Sequence, residues 1–160
     1  MSVGPCSLGR GLFAARRFRP GEQILRFQGP VIDFATMLSK GEAQANPLQI
    51  AADRYLDLLA PGVYANHSCC PNAGIANDIQ LIALKTIQCG DEIRYDYSTT
   101  MWENHWTMRC ACGSPQCRGL IADFHTLPPM QQHGYLQRQI VQSFIVEQLR
   151  QGGTRAAASA

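Results

Sequence analysis

The sequence predicts a mainly β fold with short helices and a C-terminal α-helix, and three observations carry that expectation. Apolar residues before position 100 fall in short runs broken by Gly, Pro and Asp, a length and punctuation that suit strands better than helices. Three of the seven cysteines crowd into Cys110-Ala-Cys-Gly-Ser-Pro-Gln-Cys117, as in a metal-bound segment. Only after Gly134 does the apolar spacing change to a helical period.

Residues 9–32, including Phe18-Arg-Pro-Gly-Glu-Gln-Ile-Leu-Arg-Phe27, alternate apolar positions with turn residues and predict short strands joined tightly. Residues 36–49 are polar and Ala-rich and predict a short helical insert ended by Pro47; residues 54–59 return to strand composition. Residues 79–87 predict a strand, and Gly90-Asp-Glu-Ile-Arg-Tyr-Asp-Tyr97 a turn entering another. Leu136, Ile140 and Phe144, with Val141, Ile145 and Leu149, lie on adjoining rows of one amphipathic helix over 134–150. Its apolar face is expected to pack onto the sheet or onto a second copy in a homodimer. Residues 152–160, small and polar, read as a disordered tail.

A chain of 160 residues, 46% hydrophobic, suits a single core. Its net charge is only +2 and no basic run exceeds Arg16-Arg17, so nothing tracks a phosphate backbone and no nucleic-acid partner is expected. No apolar stretch approaches the roughly 20 residues that cross a bilayer, and residues 1–17 lack the apolar core of a secretion signal. The expectation is an intracellular protein with no membrane partner, whose bunched, odd-numbered cysteines bind metal in a reducing compartment.

Thiolates hold zinc in a tetrahedron at about 2.3 Å, and closely spaced cysteines supply several corners without straining the backbone. Cys110, Cys112 and Cys117 offer three. Spacing leaves the fourth open among Cys69, Cys70, Cys6, Cys89, His105 and His125.

Four segments in order carry a family resemblance: Ser7-Leu-Gly-Arg-Gly-Leu-Phe-Ala14, Asn66-His-Ser-Cys-Cys-Pro-Asn72, the Gly90 to Tyr97 string above, and Cys110-Ala-Cys-Gly-Ser-Pro-Gln-Cys-Arg-Gly119. Together they resemble the SET domain of protein-lysine methyltransferases followed by its post-SET segment. The resemblance implies a β-clip-like SET fold of small curved sheets in which the Tyr-Asp-Tyr segment threads a loop near Asn-His-Ser as a pseudoknot. It divides the chain into a SET domain (1–108), a post-SET zinc segment (109–121), a C-terminal helical extension (122–151) and the tail. It implies Cys69 as the fourth structural zinc ligand. The layout, with no cysteine cluster before the Gly-Arg-Gly turn, looks like the small stand-alone SET proteins of bacteria or viruses.

By the same resemblance S-adenosyl-L-methionine is the methyl donor. Gly9, Arg10, Gly11 and Leu12 match the glycine turn that lies against it, Asn66 and His67 the pair that hydrogen-bonds it, Tyr64 an upstream aromatic, and Leu120 a cover for the adenine. Tyr97 matches the tyrosine that aligns the lysine amine. Tyr95 matches the Phe/Tyr switch position, where a hydroxyl favours monomethylation. Phe27 falls where many relatives carry a channel tyrosine, which departs from the pattern. The implied substrate is the lysine of a basic tail on a histone, histone-like or ribosomal protein, reached in the cytoplasm of a bacterium or in the nucleus of a eukaryotic cell or host. The alternative that the family offers is a catalytically weak SET module serving as a protein-binding platform.

Overall fold

The computed structural model describes the backbone of residues 1–157 and the side chains of residues 1–151. Strands β1 (Ser2–Cys6) and β2 (Gly9–Phe13) form an antiparallel hairpin. After β3 (Gln23–Arg26) and β4 (Val31–Ile32) comes the insert, as helix α1 (Phe34–Ser39) and a 3-10 turn (Gly41–Ala45). Asp33 caps α1 by accepting the Thr36 N–H at 2.8 Å, supplying one of the acceptors that a helix start lacks. Strands β5 (Leu48–Ala51) and β6 (Arg54–Leu56) then complete a sheet of order β4-β6-β5.

The next strands are β7 (Asn66–His67), β8 (Ala73–Ala76) and β9 (Gln80–Ala83). The last two form a hairpin that joins β3 in the order β3-β9-β8. Its turn uses Asn77 and Asp78 at φ of 48° and 65°, the left-handed region that their short polar side chains tolerate. Strand β10 (Arg94–Tyr95) runs parallel to β7, and β11 (Met108–Arg109) pairs with β12 (Leu120–Ile121) around the cysteine-rich loop. Leu12, Phe18, Phe27, Leu81, Ile87 and Ile93 anchor the core between the sheets.

The C-terminal region differs from the single helix expected over 134–150. Helix α2 (Pro129–Gln137) stops, Gln139 takes φ +54°, and α3 (Ser143–Ala157) starts anew. The break buries Ile140, Val141 and Gln142 in succession, which one straight helix facing one surface cannot do. Asp78 accepts hydrogen bonds from the backbone and hydroxyl of Ser143, both at 2.7 Å, and so caps α3 from the β8–β9 turn. Ile140 settles onto Gly74 of β8, where an added methyl would meet its side chain at 3.0 Å. This docks both helices on the sheet as a second apolar cluster with Phe124, Tyr135 and Ile145. Residues 158–160 of the expected tail lie outside the described residues. Among the described residues no helix is long and apolar enough to cross a membrane.

Candidate active site

The site is assembled where β7 and β10 lie side by side, pairing Asn66 with Arg94 and His67 with Tyr95. The string that begins at Asn66 ends on the same segment, because Asn72 accepts the Arg94 N–H and donates to the Glu92 carbonyl, both at 2.8 Å. The Asn72 side chain thereby stands in for a strand neighbour along the edge of residues 92–94. This is the juxtaposition a pseudoknot demands, and it brings residues 66–72 against the Tyr-Asp-Tyr motif.

Tyr97 leaves β10 into a one-turn 3-10 helix (Tyr97–Thr100) capped by Asp96. Its N–H donates to Nδ1 of His67 at 3.3 Å and its hydroxyl to the Ala65 carbonyl at 3.1 Å. The ring lies 4.9 Å from that of Tyr95, 5.4 Å from His67 and 6.4 Å from Trp106. Burial raises the hydroxyl pKa of both tyrosines, with the Glu92 charge adding to the effect at Tyr97 and the Asp96 charge at Tyr95, so both keep their protons.

Two cavities meet at this ring. One, of about 60 Å³, has Tyr95, Tyr97, Trp106, Val63, Met101 and Glu103 on its walls; the other, of about 280 Å³, has Leu8, Asn66, His67, Tyr97, Met108 and the backbone turn through Cys110 and Cys112. Tyr97 lines both. Phe27 lines neither: its ring is buried behind Tyr95, 6.0 Å between centroids, and under Gly62.

Gly9 holds φ at +101°, a conformation that explains the glycine without any ligand. Gly11 is explained by close approach, since an added methyl would stand 2.6 Å from the Glu92 carboxylate and 3.3 Å from the Asn66 amide. Asn66 donates to the Arg10 carbonyl and to Glu92, both at 2.9 Å, which ties the glycine turn to β7. Arg10 donates to the Tyr64 hydroxyl at 3.0 Å and lies over its ring. Leu12 points into the core, and Leu120 stands 56% exposed on β12.

His67 is buried, and burial pushes its imidazole down to about 4 against the pull of Asp96. The ring is neutral; with Nδ1 accepting from Tyr97, the proton resides on Nε2, which faces Sγ of Cys69 at 3.3 Å. The ligand atoms of His67, Cys69, Cys110 and Cys112 all lie within 4.8 Å of one another. The Cys69 and Cys110 sulfurs are 3.7 Å apart, close to the edge of about 3.8 Å in a tetrahedron with 2.3 Å bonds. Cys117 is not in that group: it is exposed, and its thiol donates to the Cys110 carbonyl at 3.6 Å. Burial raises the Cys69 and Cys110 thiols, whereas at Cys112 backbone N–H groups and the neighbouring thiols outweigh burial and hold the thiol below its usual range, so Cys112 is the thiolate of the cluster before any metal binds. The other candidates go elsewhere: Cys6 accepts from Asn66, His105 packs on Phe34, His125 packs on Trp102, and Cys70 and Cys89 are exposed.

Sequence reading missed the group that holds the motif from behind. Asp96, with a fully buried side chain, receives both guanidinium nitrogens of Arg118 at 2.7 Å and the Tyr135 hydroxyl at 2.9 Å. Arg118 also directs its backbone N–H at the Cys69 sulfur, 3.3 Å away. An aspartate between two motif tyrosines was the only hint.

The family model of the SET domain matches residues 9–98, more than half of the chain. Over 126 residues the chain is 31% identical to the histone-lysine N-methyltransferase trr of Drosophila melanogaster, covering 69% of this chain and 5% of that one. It is 27% identical over 169 residues to the histone-lysine N-methyltransferase ASHH3 of Arabidopsis thaliana, covering 82% of this chain and 46% of that one. It is 33% identical over 70 residues to the methyltransferase flvH of Aspergillus flavus, covering 42% and 39%. The chain thus spans less than half the length of each of these relatives. Motifs, fold and matched span agree, and the chain belongs to the SET-domain family.

Proposed function

We propose that this chain transfers a methyl group from S-adenosylmethionine to the side-chain amine of a lysine on a basic protein tail such as that of a histone. One observation carries the reading: Tyr97 is a wall of both cavities, so a donor in the larger and a lysine in the smaller would meet at its hydroxyl. The names of the relatives supply the histone as the substrate class to try first.

When bound, S-adenosylmethionine supplies the methyl as part of a sulfonium. The chain's task is alignment and exclusion of water. A lysine amine titrates near 10.4 in water, so its neutral form at pH 7 costs about 4–5 kcal/mol before any help from the site. Tyr95, Trp106, Val63 and Met101 give the channel an apolar side against the lysine stem, while Glu103 on its wall suits the approach of a cationic tail; the adjacent sulfonium charge is what favours the neutral amine. The Tyr97 hydroxyl keeps its proton and its bond to Ala65, so it orients the amine instead of acting as a base. Asn66 and His67 form the floor of the donor cavity. The Tyr95 hydroxyl occupies space that a partly methylated amine needs to turn, and monomethyl-lysine is the main product.

The donor set suits structural zinc. Cys69, Cys110 and Cys112 would hold three corners; a His67 ring that accepts at Nδ1 carries its proton on Nε2 and cannot ligate there, so the fourth falls to Cys117, next to the Cys110 carbonyl. His67 instead donates to the Cys69 sulfur, as partners of metal-bound groups do.

The test is methyl transfer from labelled S-adenosylmethionine to a panel of histones and other basic proteins. Wild type transfers label, and Tyr97→Phe lowers kcat by about 100-fold with little change in donor affinity. Donor binding by wild type without transfer to any basic protein would replace the enzyme with a binding platform.

A further inference from the structure

We infer that Tyr135, on the C-terminal helix α2, is a positioning residue for methyl transfer that acts through Asp96 on Tyr97. The inference rests on the proposed role of Tyr97 and extends it to an element outside the residues matched by the family model.

Asp96 is the hub. Its side chain has no solvent exposure, and one carboxylate serves three elements at once. Oδ1 accepts the Ser98 N–H at 3.1 Å and so caps the turn that presents Tyr97. Both oxygens accept from Arg118 on the cysteine-rich segment, and Oδ2 also accepts from the Tyr135 hydroxyl. The Asp96 backbone carbonyl completes the same turn by accepting from the Thr99 N–H and hydroxyl, at 3.0 and 2.7 Å. A carboxylate held at three points cannot rotate, so the residue that follows it is fixed in direction. Removing the Tyr135 hydroxyl leaves Oδ2 with the Arg118 bond alone, one hydrogen bond fewer on a fully buried carboxylate.

Tyr135 is built for this task and for little else. It is 6% exposed, its hydroxyl accepts from Gln131 at 2.9 Å one helical turn away, and its own proton is thereby directed at Asp96. Its ring packs in the apolar cluster of the two C-terminal helices. A phenylalanine would fill that ring site equally well. The hydroxyl is therefore dispensable for packing, and its one outward link runs to the motif that carries Tyr97. Docking of α3 by Asp78 and of Ile140 on Gly74 fixes where α2 stands, so the extension reaches Tyr97 without touching either cavity.

The experiment uses the full chain as wild type, Tyr135→Phe, Tyr97→Phe and the double variant. Two readouts are taken: amide hydrogen exchange across residues 97–100, and kcat and KM for transfer to a histone. Exchange at the Ser98 and Thr99 amides is expected to speed up in Tyr135→Phe by roughly tenfold, with the β3-β9-β8 sheet unchanged. The kcat of Tyr135→Phe is expected to fall roughly tenfold with KM for donor and histone unchanged, and the loss is expected to vanish in the Tyr97→Phe background. Unchanged exchange at 97–100 would overturn the inference, and so would a kcat loss that persists undiminished without the Tyr97 hydroxyl, the sign of a general structural defect. If wild type methylates nothing, the proposed function falls, and the exchange readout alone decides whether Tyr135 orders the turn.

Discussion

Tyr95 and Tyr97 are separated by one residue, yet the physical demands on them differ. The Tyr97 hydroxyl has a partner in the Ala65 carbonyl, whereas Tyr95 lies buried between Phe27 and Tyr97 with its edge on the smaller cavity. Replacing Tyr95 by Phe removes one oxygen from that wall and keeps the ring packing. The expected outcome is a shift from monomethyl toward dimethyl and trimethyl product, read by mass spectrometry of a methylated histone tail, with the initial rate within a few-fold of wild type. An unchanged product distribution would take Tyr95 out of this role. At this scale the sequence was most informative where neighbours in the chain are neighbours in space, as with Asn66, His67 and Cys69 or Tyr95 and Tyr97. It was silent on Glu92, which binds Asn66 across 26 positions, and on Asp96, whose partners lie 22 and 39 positions away. A carboxylate's partners cannot be read from spacing when they arrive from other elements. For Gly11 the structure adds a close approach of Glu92 that the sequence could not show.

The cysteine-rich segment is the element most dependent on something other than its own core. Strands β11 and β12 pair over only two residues each, and Cys69, Cys112 and Ile121 form its small buried cluster. Metal held by Cys69 and the three later cysteines would therefore fasten this segment to β7. Treatment with a zinc chelator is expected to lower Tm by roughly 10 °C and to open residues 108–121 to hydrogen exchange before the β3-β9-β8 sheet. Elemental analysis that finds no zinc in a protein whose Tm a chelator leaves unchanged would contradict this. The bunched cysteines made the segment visible in the sequence, because metal ligands must be close and few other roles demand it. The C-terminal helix was legible only in part. Its apolar rows are real, but a capping aspartate 65 positions upstream divides it, and periodicity carries no trace of such a partner.

Across the whole molecule, the mainly β expectation held because short apolar runs with turn residues between them leave little alternative. The parallel pairing of β7 with β10 is a different matter. It came from motif resemblance, since two-residue strands separated by 26 positions have no periodic signal of their own. That pairing creates the shared wall on which the account depends: Tyr97 emerges between a cavity floored by Asn66 and His67 and a channel ringed by Tyr95 and Trp106. A crystal structure with S-adenosylhomocysteine, the demethylated product of the donor, tests this arrangement most directly. The ligand is expected in the cavity lined by Leu8, Asn66, His67 and Met108, with its sulfur turned toward the Tyr97 hydroxyl and the channel beyond. A ligand bound elsewhere, or in that cavity with its sulfur facing away from Tyr97, would contradict it.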